Sequence, residues 1–155
     1  MIKKGIILAG GTGTRLSPLT KSVNKQLLPI HDKPMIFYPL SVMMLANIKK
    51  ILMIVNPGQI NNFKSLLGDG SRYGININYK IQDKPRGLPD AFILGKTFIN
   101  KDNVALILGD NFFYGQSLTK KLEKSSTHKF GATIFLKEVS SPENYGVAKI
   151  KKNKI

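Results

Sequence analysis

The chain has no cysteine among its 155 residues. Disulfides, thiolate metal sites and a cysteine nucleophile are therefore excluded, and the absence agrees with a cytoplasmic protein. Only two histidines occur, His31 and His128, without an HxxxH spacing, so no zinc site is assigned. A Gly-x-Ser-x-Gly elbow is absent. No apolar run reaches the length needed to span a bilayer, so no membrane partner is expected. Residues 1–11 carry two lysines and an apolar stretch. That stretch is too short for the core of a secretory signal and reads as a strand and loop. Repeats, linkers and low-complexity segments are also missing.

Acidic residues are few: nine Asp and Glu stand against 24 Lys and Arg, a net charge of +15. Nucleic acid is nevertheless not the expected partner. A surface for it needs basic residues clustered on one face, with aromatics to stack on. Here the lysines come mostly in pairs at the ends of elements, Lys3-Lys4, Lys49-Lys50 and Lys120-Lys121, and only 149–154 is locally dense. Solvated surface lysines account for them. The same field favours a small anionic substrate.

What is present suits one folded domain over 1–155, with 42% hydrophobic and 21% charged residues. Short apolar runs alternate with helical patterns. Strands are expected at 5–9, 50–55, 75–81, 104–108, 132–139 and 145–150. Helices are expected at 34–46, with Pro34 in the first turn, at 59–67, at 88–98, and at 117–124 behind a capping Ser117. Asn56-Pro57-Gly58 reads as a turn. Strand–helix alternation with apolar strands predicts an α/β fold, a mostly parallel sheet covered by helices on both faces.

Directly after the first strand stands Gly10-Gly11-Thr12-Gly13-Thr14-Arg15-Leu16. In a parallel α/β sheet, ligands bind beyond the carboxyl ends of the strands. Glycines there let backbone N–H groups approach phosphate oxygens, Thr12 and Thr14 add hydroxyls, and Arg15 offers a two-pronged phosphate grip. No Gly-Lys-Ser/Thr follows, which excludes a Walker A loop. Gly11 and Gly13 fit a dinucleotide fingerprint, but Leu16 stands at its third glycine.

Further strings follow: Asn24-Lys25-Gln26-Leu27-Leu28-Pro29, Asp32-Lys33-Pro34-Met35-Ile36 and Tyr38-Pro39-Leu40. Together with the loop they closely resemble the signature of the sugar-1-phosphate nucleotidyltransferases. The Lys-Gln-Leu-Leu-Pro and Lys-Pro-Met-Ile-Phe-Tyr-Pro-Leu strings look like its glucose-1-phosphate thymidylyltransferase branch. The resemblance implies a Rossmann-like fold of the nucleotide-diphospho-sugar transferase type. It also implies Mg²⁺-dependent transfer of a thymidylyl group from dTTP to glucose-1-phosphate.

Carried over residue by residue, it gives Arg15 and Lys25 catalytic roles on the phosphates. Gly10, Gly11, Thr12, Gly13, Thr14 and Gln26 contact the nucleotide. Gln82 and Gly87 read the base, where a glutamine amide can pair with thymine or uracil. Asp110, in Leu108-Gly109-Asp110-Asn111, is a poor packing residue at a strand end and the implied Mg²⁺ ligand. Tyr145 and Gly146 would contact the sugar. The run Phe112-Phe113-Tyr114 reads as packing. Leu88-Pro89-Asp90-Ala91 departs from the family's usual Ala-Gln-Ala after the leucine.

Family members are longer. A second metal-binding aspartate, a Glu-Lys pair for the sugar phosphate and the contacts of a homo-oligomer would lie beyond Ile155. The chain is accordingly expected to be an incomplete, amino-terminal part, able to bind nucleotide but impaired in turnover. Three other readings are an inactive nucleotide-binding or regulatory module of the same fold, a dinucleotide-dependent oxidoreductase, and a basic nucleic-acid-binding protein. Leu16 and the lack of a ribose-binding acid after the second strand count against the oxidoreductase.

Overall fold

The computed structural model describes residues 1–11, 13–128 and 130–150. In chain order its elements are β1 (Lys4–Ala9), a hairpin of β2 (Pro29–Ile30) and β3 (Lys33–Pro34), α1 (Phe37–Leu45), β4 (Lys50–Val55) and α2 (Ile60–Leu67). There follow β5 (Asn76–Ile81), α3 (Pro89–Leu94), α4 (Lys96–Ile99), β6 (Val104–Leu108) and α5 (Leu118–Ser126). No helix among the described residues is long and apolar enough to cross a membrane.

Four strands form one sheet in the order β5-β4-β1-β6, and every pairing is parallel. The alternation of side chains along a strand divides the core in two. Ile7, Ala9, Ile51, Met53, Val55, Ile77 and Ile107 face one side, packed with Leu40 and Met43 of α1, Phe63 and Leu67 of α2, and Leu122 of α5. Ile6, Leu52 and Ile54 face the other, against Ala91 of α3 with Leu94, Phe98 and Ile99. Both faces are thus covered, as the uniformly apolar strands predict.

Several expectations need correction. Pro34 does not open the long helix. It pairs with Pro29 in the small hairpin, and α1 begins only at Phe37. The turn of that hairpin holds His31 at φ 60°, which sets the chain on a path that no helix can share. The helical pattern at 88–98 is broken at Gly95 into α3 and α4. Ser117 adopts φ 58° and its hydroxyl caps nothing, because left-handed backbone turns it away from the first N–H groups of α5.

Residues 132–139 and 145–150, expected as strands, form none. Ile134, Phe135, Leu136 and Val139 are exposed. Their strand propensity is unused because a strand exists only in a hydrogen-bonded ladder, and among the described residues β6 carries no partner on its outer edge.

Candidate functional site

Because the strands run parallel, the carboxyl ends of β5, β4, β1 and β6 lie along one edge of the sheet, and residues that follow β5, β1 and β6 line one cavity there. Its volume is about 240 Å³, and Gly10, Gly11, Gln26, Gln82, Gly87 and Asp110 all contribute to its walls. Four separate segments of sequence thus meet at the place the fold reserves for a ligand.

The glycine loop is shaped by its neighbours. Gly11 and Gly13 hold φ of 97° and 61°, a region that side chains avoid. Gly10 is required by close approach: a Cβ there would stand 2.8 Å from Gln82 Oε1 and 3.3 Å from Asn56 Oδ1. Asn56, just past β4, grips Gly11 twice. The Gly11 N–H donates to its Oδ1 at 3.1 Å, and its Nδ2 donates to the Gly11 carbonyl at 2.8 Å. Thr20 Oγ1 donates to the Gly13 carbonyl at 2.9 Å. Thr12, expected to add a hydroxyl, lies outside the described residues. Thr14 and Arg15 occupy an exposed 3₁₀ turn behind the loop. The Arg15 guanidinium forms no ion pair or hydrogen bond among the described residues.

The Lys25-Gln26 pair sits on a second 3₁₀ turn, which Asn24 caps by accepting from the Gln26 N–H at 2.9 Å. Capping leaves the two side chains on different errands. Lys25 Nζ reaches Asp110 Oδ2 at 2.8 Å, each side chain about one third exposed at 29% and 33%. Gln26 is buried at 3% exposure, and its Nε2 donates to the Gly10 carbonyl at 3.2 Å. That bond fixes the amide's orientation, since only nitrogen can serve a carbonyl. The other atom, Gln26 Oε1, is buried without a hydrogen-bond partner among the described residues. Such an atom costs free energy unless something supplies a proton to it.

Gln82, just past β5, and Gly87 line the same cavity. Asp110 follows β6 and Gly109, with Oδ2 taken by Lys25. Among the described residues no cluster of three or more His, Cys, Asp or Glu could cage a metal. A single carboxylate suits Mg²⁺ all the same, for this ion commonly combines one or two carboxylates with substrate phosphates and water.

Tyr145 and Gly146 are not brought to the cavity. Tyr145 is 65% exposed and neither residue contributes to its walls. Of the aromatic run, Phe113 packs on the core, Phe112 lies 3.9 Å from the Tyr38 ring centre, and Tyr114 is fully exposed. Packing therefore accounts for two of the three.

Two residues escaped the sequence reading. Asn56 was legible only as part of a turn, although its position beyond a parallel strand beside β1 was the available signal. Asp90, legible as a departure from the family pattern, is buried and accepts from Gln82 Nε2 at 2.8 Å.

Comparison with known proteins agrees with this geometry. The nucleotidyl transferase family profile matches residues 4–155. The glucose-1-phosphate thymidylyltransferase of Neisseria meningitidis is 57% identical over 150 residues, covering 97% of this chain and 52% of the relative. That of Xanthomonas campestris is 53% identical over 146 residues, covering 94% and 50%. A Bacillus anthracis crystal structure assigned as a glucose-1-phosphate thymidylyltransferase, in complex with sucrose, superposes with a TM-score of 0.90 at 39% identity. The match covers 98% of this chain and 61% of that one. A UDP-glucose pyrophosphorylase complexed with UDP-glucose gives 0.65 at 26% identity, over 82% and 54%. The chain spans about half the length of the curated relatives it matches. With Gly10, Gly11, Gln26, Gln82, Gly87 and Asp110 gathered at one cavity and the family profile matched along nearly the whole sequence, the chain belongs to the nucleotidyl transferase family.

Proposed function

We propose that this chain binds dTTP for the transfer of its thymidylyl group to glucose-1-phosphate, giving dTDP-glucose and pyrophosphate. The observation that carries the reading is the meeting of Gly10, Gly11, Gln26, Gln82, Gly87 and Asp110, remote in sequence, in the walls of one cavity beyond the carboxyl ends of the strands. The names of the similar proteins supply the acceptor sugar phosphate.

In this reaction an anionic oxygen of the sugar phosphate attacks the α-phosphorus in line. As that P–O bond forms, the bond to the bridging oxygen of the β-phosphate breaks, and pyrophosphate leaves with the electron pair. The nucleophile is already ionised, so the protein needs no general base. Its work is to align the reactants and screen their charge. Arg15, exposed and without a partner among the described residues, holds the β- and γ-phosphates. Lys25 serves the α-phosphate, and the glycine loop offers backbone N–H groups. Asp110 would hold Mg²⁺, which when bound neutralises phosphate oxygens.

A second reading, nucleotide binding without turnover, is favoured by the absence of Tyr145 and Gly146 from the cavity walls. Thermal melts with Mg²⁺ and excess dTTP, UTP, ATP or NAD test the binding, since a ligand of the folded state must raise the melting temperature. A rise with dTTP above ATP and NAD is expected. A cooperative melt unmoved by dTTP would sink both readings. Pyrophosphate release on adding glucose-1-phosphate then separates them.

A further inference from the structure

Gln82 has a neighbour that decides which way its amide faces. Gln82 and Asp90 are both buried, at 4% and 5% exposure. The Gln82 Nε2 donates to Asp90 Oδ2 at 2.8 Å. A carboxylate only accepts, so the amino group must take the Asp90 side and the carbonyl the opposite one. There Oε1 lies beside Gly10, 2.8 Å from where a Cβ on that residue would stand, and Gly10 and Gln82 both line the cavity. The arrangement is braced at each end. The Gln82 N–H donates to the Val55 carbonyl at 2.8 Å, and Asp90 Oδ1 lies 3.8 Å from an Arg86 guanidinium nitrogen.

We propose that Asp90 is a positioning residue that fixes the Gln82 amide with its carbonyl oxygen, and not its nitrogen, on the Gly10 side of the cavity. The cavity thereby selects a base with an imide N–H, thymine or uracil, over one with a bare ring nitrogen at that place, cytosine. The proposal rests on the nucleotide reading above and adds the residue that sets its base preference. An unrestrained amide can turn over and offer either its N–H or its carbonyl, so it reads both kinds of base. Held by Asp90, it cannot. The thymine N3–H donates to Oε1, whereas cytosine N3 would face an oxygen with no proton between them. A site whose buried polar atom is left unpaired by the wrong ligand discriminates strongly.

The test titrates wild type and Asp90→Asn with dTTP, dCTP and N3-methyl-dTTP in the presence of Mg²⁺, with a melt of each protein. Asparagine keeps the shape but can present its own amino group, which frees Gln82 to turn over. Wild type is expected to prefer dTTP to dCTP and to the methylated analogue by at least about tenfold. In Asp90→Asn the dTTP preference over dCTP should shrink to about threefold or less. An unchanged ratio in the folded variant overturns the role of Asp90 and leaves the nucleotide reading standing. Absence of dTTP binding in wild type overturns both. Should Asp90→Asn fail to fold, the side-chain amide of Gln82 in ¹⁵N-labelled wild type decides. Two distinct, slowly exchanging protons are expected, and exchange as fast as a free amide overturns the proposal.

Discussion

Lys25 Nζ and Asp110 Oδ2 stand 2.8 Å apart although 85 positions separate them in the chain. An ion pair this exposed contributes at most about 1 kcal/mol to folding, so its value lies in the two charges it keeps at the cavity rim. Lys25→Met should shift the melting temperature by no more than about 4 °C. The affinity for dTTP, read by calorimetry, should fall about tenfold or more, the loss of one charge-assisted bond. Asp110→Asn should leave the melt similar and make dTTP binding insensitive to Mg²⁺.

Arg15 is exposed, and its guanidinium has no partner among the described residues. Arg15→Ala should therefore leave stability within about 0.5 kcal/mol of wild type. Pyrophosphate release should drop at least about 100-fold. Affinity should fall for dTTP but hardly for dTMP, which lacks the β- and γ-phosphates proposed as the guanidinium's partners. Near-normal turnover would remove Arg15 from the site.

Asn56 closes both polar groups of Gly11 with one side chain. Asn56→Ala removes both bonds and should cost about 1–2 kcal/mol in urea unfolding. Asn56→Asp keeps the acceptor but sets a carboxylate against the Gly11 carbonyl, beside the phosphate loop. It should bind triphosphate more weakly than the alanine variant, at comparable stability. The reverse order would mean that the loop carries no phosphate.

Tyr79 donates its hydroxyl proton to the Gly68 carbonyl at 2.7 Å. Burial, with smaller contributions from Asp69 and Tyr73, pushes its pKa up from 10.0 to about 12. The folded state thus holds the proton more tightly than the unfolded chain. The resulting stability is complete below pH 10 and is lost as pH rises towards about 12. Melting temperatures of wild type and Tyr79→Phe should converge across that window, because phenylalanine has nothing to titrate.

The parallel sheet was legible because its strands are apolar on consecutive residues, which only burial on both faces can reward. Ile6 and Ile7, adjacent in sequence, serve opposite cores. The ligand end was legible through the glycines after β1 and the Lys25-Gln26 string. Contacts across the sheet were not. Nothing local to Asp90 reveals that Gln82 lies beside it, nor does Asn56 carry a trace of Gly11. The failures at Pro34 and Ser117 share a cause: both residue types suit a helix start, but backbone set by a neighbouring turn denied them the geometry. Residues 132–139 show the remaining limit, since propensity names a strand without naming its partner.

The cavity walls come from the ends of strands that are neighbours in space but remote in sequence, joined only by crossovers. The walls draw on residues 8–11, 26, 82–88 and 108–110, so binding and register are the same event. A displaced strand would carry Asn56 or Asp110 away from the glycine loop before any helix melted. Nucleotide bound there would fasten the open ends of β5, β1 and β6 to one another. It would therefore slow the fraying of the sheet as well as wait to react.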